Sequence, residues 1–113
     1  MAHRRVILEL GTGNDLHGGD YTKAAMRAVQ DALHHSSLSL VRSLGLDRSS
    51  MQVEVTIGLQ QPARTASVST RASVPHGEVS VQVVKGGLDV PQEGPHDLMV
   101  IASAAIAVRL DLP

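Results

Sequence analysis

Apolar and polar residues alternate with a period of two in three stretches of the chain and recur at helical spacing in one. Arg5-Val-Ile-Leu-Glu-Leu10 is β-branched and aliphatic and reads as a short buried strand ending at Gly11. Met51 to Gly58 alternates without error: Met51, Val53, Val55 and Ile57 share one face, and Gln52, Glu54 and Thr56 the other. After the Pro75-His-Gly77 turn, Val79, Val81 and Val83 oppose Ser80 and Gln82 in a further strand. Between the first two strands, Ala25, Val29, Ala32 and Ser36, with Met26 and Leu33, form an apolar stripe at helical spacing. The helix runs from about Tyr21 to Leu33, with Asp20 as N-cap, and Arg27 and Asp31 as an i,i+4 pair on its outer side. Leu98–Leu112 is rich in alanine but carries Val100, Ile101, Ile106 and Val108. It is assigned as a long strand with a bend or bulge near Ala104, its even-numbered residues forming an apolar face opposite Ser103 and Arg109.

The segments between are less regular. Ser36–Ser50 reads as a bent or second helical piece, and Ala63–Ser73 as a weak helix or loop. Gly86-Gly87 and the Pro-rich stretch 91–95 read as a long, mobile loop. The whole is a single α/β domain, residues 1–113, a two-layer sandwich of β-α-β-α-β-β order with helices on one face of one sheet.

Glu9, Gln52, Glu54, Thr56, Ser80, Gln82, Ser103 and Arg109 then fall on the sheet's other, polar face. An antiparallel sheet can leave such a face to solvent, or several copies can close into a ring with the sheets inside. Composition favours the ring, as a trimer. With one tyrosine and no phenylalanine or tryptophan, the core is small and aliphatic and gains from burial shared between subunits.

The remaining bounds are exclusions. Ten basic and eleven acidic residues give a formal net charge of −1, which offers no footprint for nucleic acid or an anionic membrane. The apolar run after His3-Arg-Arg is too short for a signal peptide or a membrane span. The absence of cysteine excludes disulfides, thiolate metal sites and cysteine nucleophiles, and a cytoplasmic location is expected.

Candidate chemistry concentrates in Gly11-Thr-Gly-Asn-Asp-Leu-His-Gly18, which joins the first strand to the helix. Leu16 occupies the place of the third glycine of a dinucleotide fingerprint, and no Gly-Lys-Ser/Thr follows to make a P-loop. Glycines at 11, 13 and 18 allow sharp turns and close backbone approach to a ligand, beside Asn14, Asp15 and His17. The competing reading is an Asx-turn and helix cap in which Asp15 and His17 hydrogen-bond the loop to itself. Asp15 and His17 could also begin a metal site completed by His76 or His96, but D-x-H is a short motif and no metal is assigned.

The octapeptide, continued by residues 20–32, Ser37-Leu38, Val53–Gly58 and Val84–Leu88, resembles the Lin-type family of short conserved hypothetical bacterial proteins. That resemblance implies that Gly11, Gly13, Asp15, His17 and Gly18 act as a unit. More distantly, the order of elements and Ile101-Ala-Ser-Ala-Ala105 resemble one unit of the ring-opening amidohydrolases of cyanuric acid and barbiturate. Those enzymes pair a catalytic lysine with a serine. Here Thr56 stands at the second-strand position, and the chain's lysines are Lys23 and Lys85.

The expected function is binding of a small polar or anionic ligand at the glycine-rich loop 11–19 of a homo-oligomer, with no cofactor specified. Gly11, Gly13, Asn14, Gly18, Lys23 and Arg109 are its binding residues. As a hydrolase of a small amide, the protein would use His17 as acid–base group, Asp15 to orient it, and Ser103. The alternative is a non-catalytic ligand-binding or structural subunit, in which the loop only caps a helix and seals an interface.

Overall fold

The computed structural model describes residues 2–34, Gly45, 51–65, 78–94 and 97–112. Five strands and one α-helix are laid out as β1 (Ala2–Asp15), α1 (Tyr21–His34), β2 (Gln52–Leu59), a 3-10 turn (Pro62–Thr65), β3 (Glu78–Lys85), β4 (Leu88–Pro91) and β5 (Leu98–Leu112). The expected piece over 36–50 falls, but for Gly45, outside the described residues, as do residues 66–77.

The strands form one sheet in the order β1-β5-β2-β3, with β4 also paired to β5. β5 is its spine, antiparallel to β1, β2 and β4, while β2 and β3 are parallel. The chain leaves β2 at Leu59 and enters β3 at Glu78 running in the same direction. β4 lies within the stretch expected to be a mobile loop. Gly86-Gly87 carries the chain past the end of β2, and Leu88–Pro91 then pairs with Leu98–Ile101. Gln60 fixes this crossing, its Nε2 donating to the carbonyls of Gly86 and Gly87 at 3.1 Å each. The irregularity expected near Ala104 lies instead in β1, where Val6 is an extra residue between Arg5 and Ile7; β5 pairs through Ala104 without a shift.

Alternation then sorts the residues. Val53, Val55, Ile57 and Leu59, with Val100, Ala102, Ala104, Ile106, Val108 and Leu110, are buried on the face that carries α1. The helix presents Tyr21, Ala24, Ala25, Ala28, Val29 and Ala32 to this face. Its small residues meet Gly11 and Gly13 of β1 almost backbone to backbone: a Cβ on Gly13 would stand 2.2 Å from the Ala28 nitrogen, and one on Gly11 2.4 Å from that of Ala32. Glu9 pairs with buried Ile106, which places it on the helix side and corrects its assignment to the polar face.

Among the described residues the opposite face carries no helix. It is a checkerboard of two halves: Leu8, Leu10, Ala105 and Ala107 on β1 and β5, and Glu54, Thr56, Ser80 and Gln82 on β2 and β3. Leu10 is 66% exposed and Leu8 47%.

Candidate functional site

The glycine-rich segment serves two structures at once. β1 continues through Gly11 and Gly13 to Asp15, so the joint proper is only residues 16–20. Gly18 and Gly19 turn it with φ of +92° and +64°, conformations that favour glycine. Asp15 is buried and accepts the Asp20 amide at 2.8 Å on Oδ2. Asp20 in turn caps α1, accepting the Lys23 amide at 3.0 Å. Arg27 reaches back from the helix to the Asn14 carbonyl at 2.6 Å, with Asp15 Oδ1 4.0 Å from the same nitrogen. His17, three-quarters exposed, pairs through Nδ1 with Asp97 at 2.8 Å, and the Gly19 amide donates to the Leu98 carbonyl. These bonds tie the β1–α1 joint to the start of β5.

The other site residues are dispersed. Gly11 and Gly13 face the helix, and Lys23 stands exposed on its first turn. Ser103 lies on the open face of the sheet, opposite to Asp15, which is buried on the helix face. Arg109 is six residues further along β5, about 20 Å from Ser103 at strand rise, and pairs with Glu54 at 2.9 Å. The structure therefore groups Asn14, Asp15, His17 and Gly18 at one end of β1, and leaves Ser103 and Arg109 as two separate points on the other face. His76 and His96 lie outside the described residues, and among those described no three metal-ligating side chains converge.

Around Ser103 the open face is concave. A groove of about 590 Å³ crosses the sheet from Leu10, Gly11 and Thr12 of β1, past Ser103 and Thr56, to Val84, Lys85 and Gly86. Gly58 makes room at its floor: a Cβ there would sit 2.9 Å from Ser103 Oγ and 3.2 Å from the Gly86 Cα. Three hydroxyls, of Thr12, Thr56 and Ser103, line it, with Lys85 toward one edge of the sheet and Asp31 toward the other. Asp31 accepts the Thr12 amide at 2.9 Å, wrapping around the sheet edge from the helix. Hydroxyls that both donate and accept, on an otherwise aliphatic lining with one acid and one base at its ends, suit a small polar group. Sequence reasoning passed over Thr12 and Lys85. Thr12 was legible as the open-face partner of two helix-facing glycines, whereas Lys85 joins Ser103 only through the parallel β2–β3 pairing.

A second polar cluster lies at the start of the helix. The Tyr21 hydroxyl donates to Asp89 Oδ2 on β4, while the buried Oδ1 of Asp89 has no hydrogen-bond partner. The Arg64 guanidinium stands 4.9 Å from the Tyr21 ring centroid. Burial first, then the hydrogen bond to Asp89 and its negative charge, push the Tyr21 phenol up to about 12. This clamp holds β4 against α1.

No helix among the described residues is long and apolar enough to cross a membrane. No curated protein matches the chain. Among solved structures, the chain is similar to an FtsZ-like protein of unknown function from Nostoc punctiforme PCC 73102, with 32% identity, 99% of each chain covered and a TM-score of 0.82. A model of a family described as conserved hypothetical protein (Lin0512_fam) matches residues 5–108. The chain belongs to this family of conserved hypothetical proteins, as its glycine-rich octapeptide implied.

Proposed function

We propose that this protein binds a small polar or anionic molecule in the groove on the open face of its sheet, as one subunit of a ring in which those faces turn inward. The observation that supports this reading is the groove itself. It has a glycine floor at Gly58 and three hydroxyls, with Lys85 at its rim where β3 ends, on a face that also exposes Leu8 and Leu10. Leu8 and Leu10 adjoin Ala105 and Ala107 on that face, an apolar patch of the kind that meets another surface. On this reading the glycine-rich segment contributes Thr12 to the groove, beside Leu10. Asp15, His17 and Gly18 hold the joint that aligns β1 with α1, which is the cap-and-clamp alternative for those residues. A trimer remains the expected size.

A hydrolytic reading has one observation in its favour: Ser103 and Lys85 line the same groove. A serine hydroxyl can attack a small amide when a lysine amine accepts its proton; the C–N bond breaks as that proton passes to the leaving nitrogen, and water then hydrolyses the acyl ester.

The test is a thermal-shift and NMR titration of the protein with inorganic phosphate, small carboxylates and small cyclic amides. Binding should move the amide signals of Thr12, Thr56, Gly58 and Ser103, and Ser103→Ala with Lys85→Ala should abolish the shifts. Signal changes confined to residues 14–20 would return the site to the loop. Turnover of an amide, lost in Ser103→Ala, would establish the hydrolase.

A further inference from the structure

The two edges of the sheet carry opposite charges at both ends of their shared rows, from β1 and α1 at one edge and from β3 at the other. Following the pairing across the sheet, Arg5 is level with Arg109, Gln52 and Glu78, and Thr12 with Ser103, Gly58 and Val84. The eight residues of β3 thus span the rows from Arg5 to Gly13 of β1. Because β1 and β2 are both antiparallel to β5, and β3 is parallel to β2, the two outer strands also run in the same direction.

At the start of these rows β1 has Arg4 and Arg5, both exposed, and β3 has Glu78, exposed. At their end α1 lays Asp31 over the Thr12 amide at the β1 edge, and β3 has exposed Lys85. Among the described residues, Arg5, Glu78 and Lys85 make no ion pair inside the chain. The groove runs the same way, with Asp31 toward the β1 edge and Lys85 toward the β3 edge.

We infer that the β1 edge of one copy pairs in parallel with the β3 edge of the next, setting Arg5 against Glu78 and Asp31 against Lys85. This inference rests on the ring reading above and specifies the contact that builds it. Rotation about an axis along the strands brings β1 of one copy beside β3 of its neighbour without reversing either. The contact is therefore heterologous, and repetition closes a ring. The pairing satisfies the two outer strand edges with one another up to the Thr12 amide, which Asp31 already holds. It also joins the grooves end to end and turns Leu8 and Leu10 into the ring. A strand from an unrelated protein would have no reason to carry the complementary charges at both ends.

The chain contains no cysteine, so introduced thiols report unambiguously. Neighbouring strands bring Cα atoms to about 5 Å, within disulfide range. Arg5→Cys co-expressed with Glu78→Cys should give a disulfide-linked dimer on mild oxidation, while neither variant alone should. A chain carrying both substitutions should give one closed, covalently linked ring of the mass found by light scattering. An oligomer that forms no 5–78 disulfide overturns the edge pairing and leaves the ring reading standing. A species that scatters as a monomer at every concentration overturns both. Charge exchange separates pairing from folding: Arg5→Glu should weaken assembly at least tenfold, and adding Glu78→Arg should restore it, with circular dichroism unchanged throughout. Failure of the second substitution to restore assembly counts against the pairing.

Discussion

The two faces of this sheet are built from the same strands and answer to different demands. On the helix side, β1 offers Gly11 and Gly13, and α1 meets them with Ala24, Ala28 and Ala32, so backbone approaches backbone and no side chain intervenes. One residue over, on the open side, the same strand offers Leu10 and Thr12, with space above them. The glycines of the motif are thus explained by packing. Thr12, the residue between them, faces the groove on the other side. A motif read along the chain merges what a strand divides between two surfaces.

The sharpest way to break this comparison is to add atoms on the crowded side. Gly13→Val has only helix backbone to displace. It should cost about 3 kcal/mol or more, enough to lower the melting temperature by on the order of 10 °C or leave no folded protein, as followed by circular dichroism. Asp15→Ala comes next: it removes the buried acceptor of the Asp20 amide and should cost about 1–3 kcal/mol in urea unfolding.

Tyr21→Phe leaves the Asp89 carboxylate without its donor and should destabilise by a similar or smaller amount. It also carries a pH signature. Tyr21 titrates near 12 folded and near 10 unfolded, so the folded state holds the extra proton between these values. The stabilisation is complete below pH 10 and is lost as the pH rises toward 12; this slope should vanish in Tyr21→Phe. On the open side the expectation reverses. Ser103→Ala, and Leu10→Ala compared at concentrations where both chains are monomeric, should leave the unfolding midpoint within about 0.5 kcal/mol of the parent. Ser103→Ala should act on ligand-induced shifts and Leu10→Ala on assembly. A large loss of stability from either would mean that the open face is a packed core after all.

How far the sequence speaks follows from the range of the interactions. Period-two alternation is local, and it placed Val53, Val55 and Ile57, and the even-numbered residues of β5, on the buried side. The capping pattern located the helix from Tyr21 onward, and its last described residue, His34, is one beyond the expected end. The readings that failed depended on partners far along the chain. β4 is four residues long, includes Asp89 and Pro91, and exists because β5 offers it an edge. Glu9 changed faces because β1 continues to Asp15, which fixes the parity of the whole strand. Lys85 reaches Ser103's groove through a parallel crossing that no local pattern encodes. For the joint at residues 14–20, the residue types were legible as donors and acceptors. Which of them bonded one another was set by Arg27, Asp97 and Leu98, 13 to 80 positions away.

The near-contact of α1 with β1 has a mechanical consequence. Long side chains between a helix and a sheet act as a cushion, because they change rotamer and absorb small displacements. Between Gly13 and Ala28 there is nothing to absorb them. A push or twist applied to β1 from outside the subunit would pass to the helix undamped, and through Asp20 and Tyr21 to β4, making strand, helix and clamp one rigid lever.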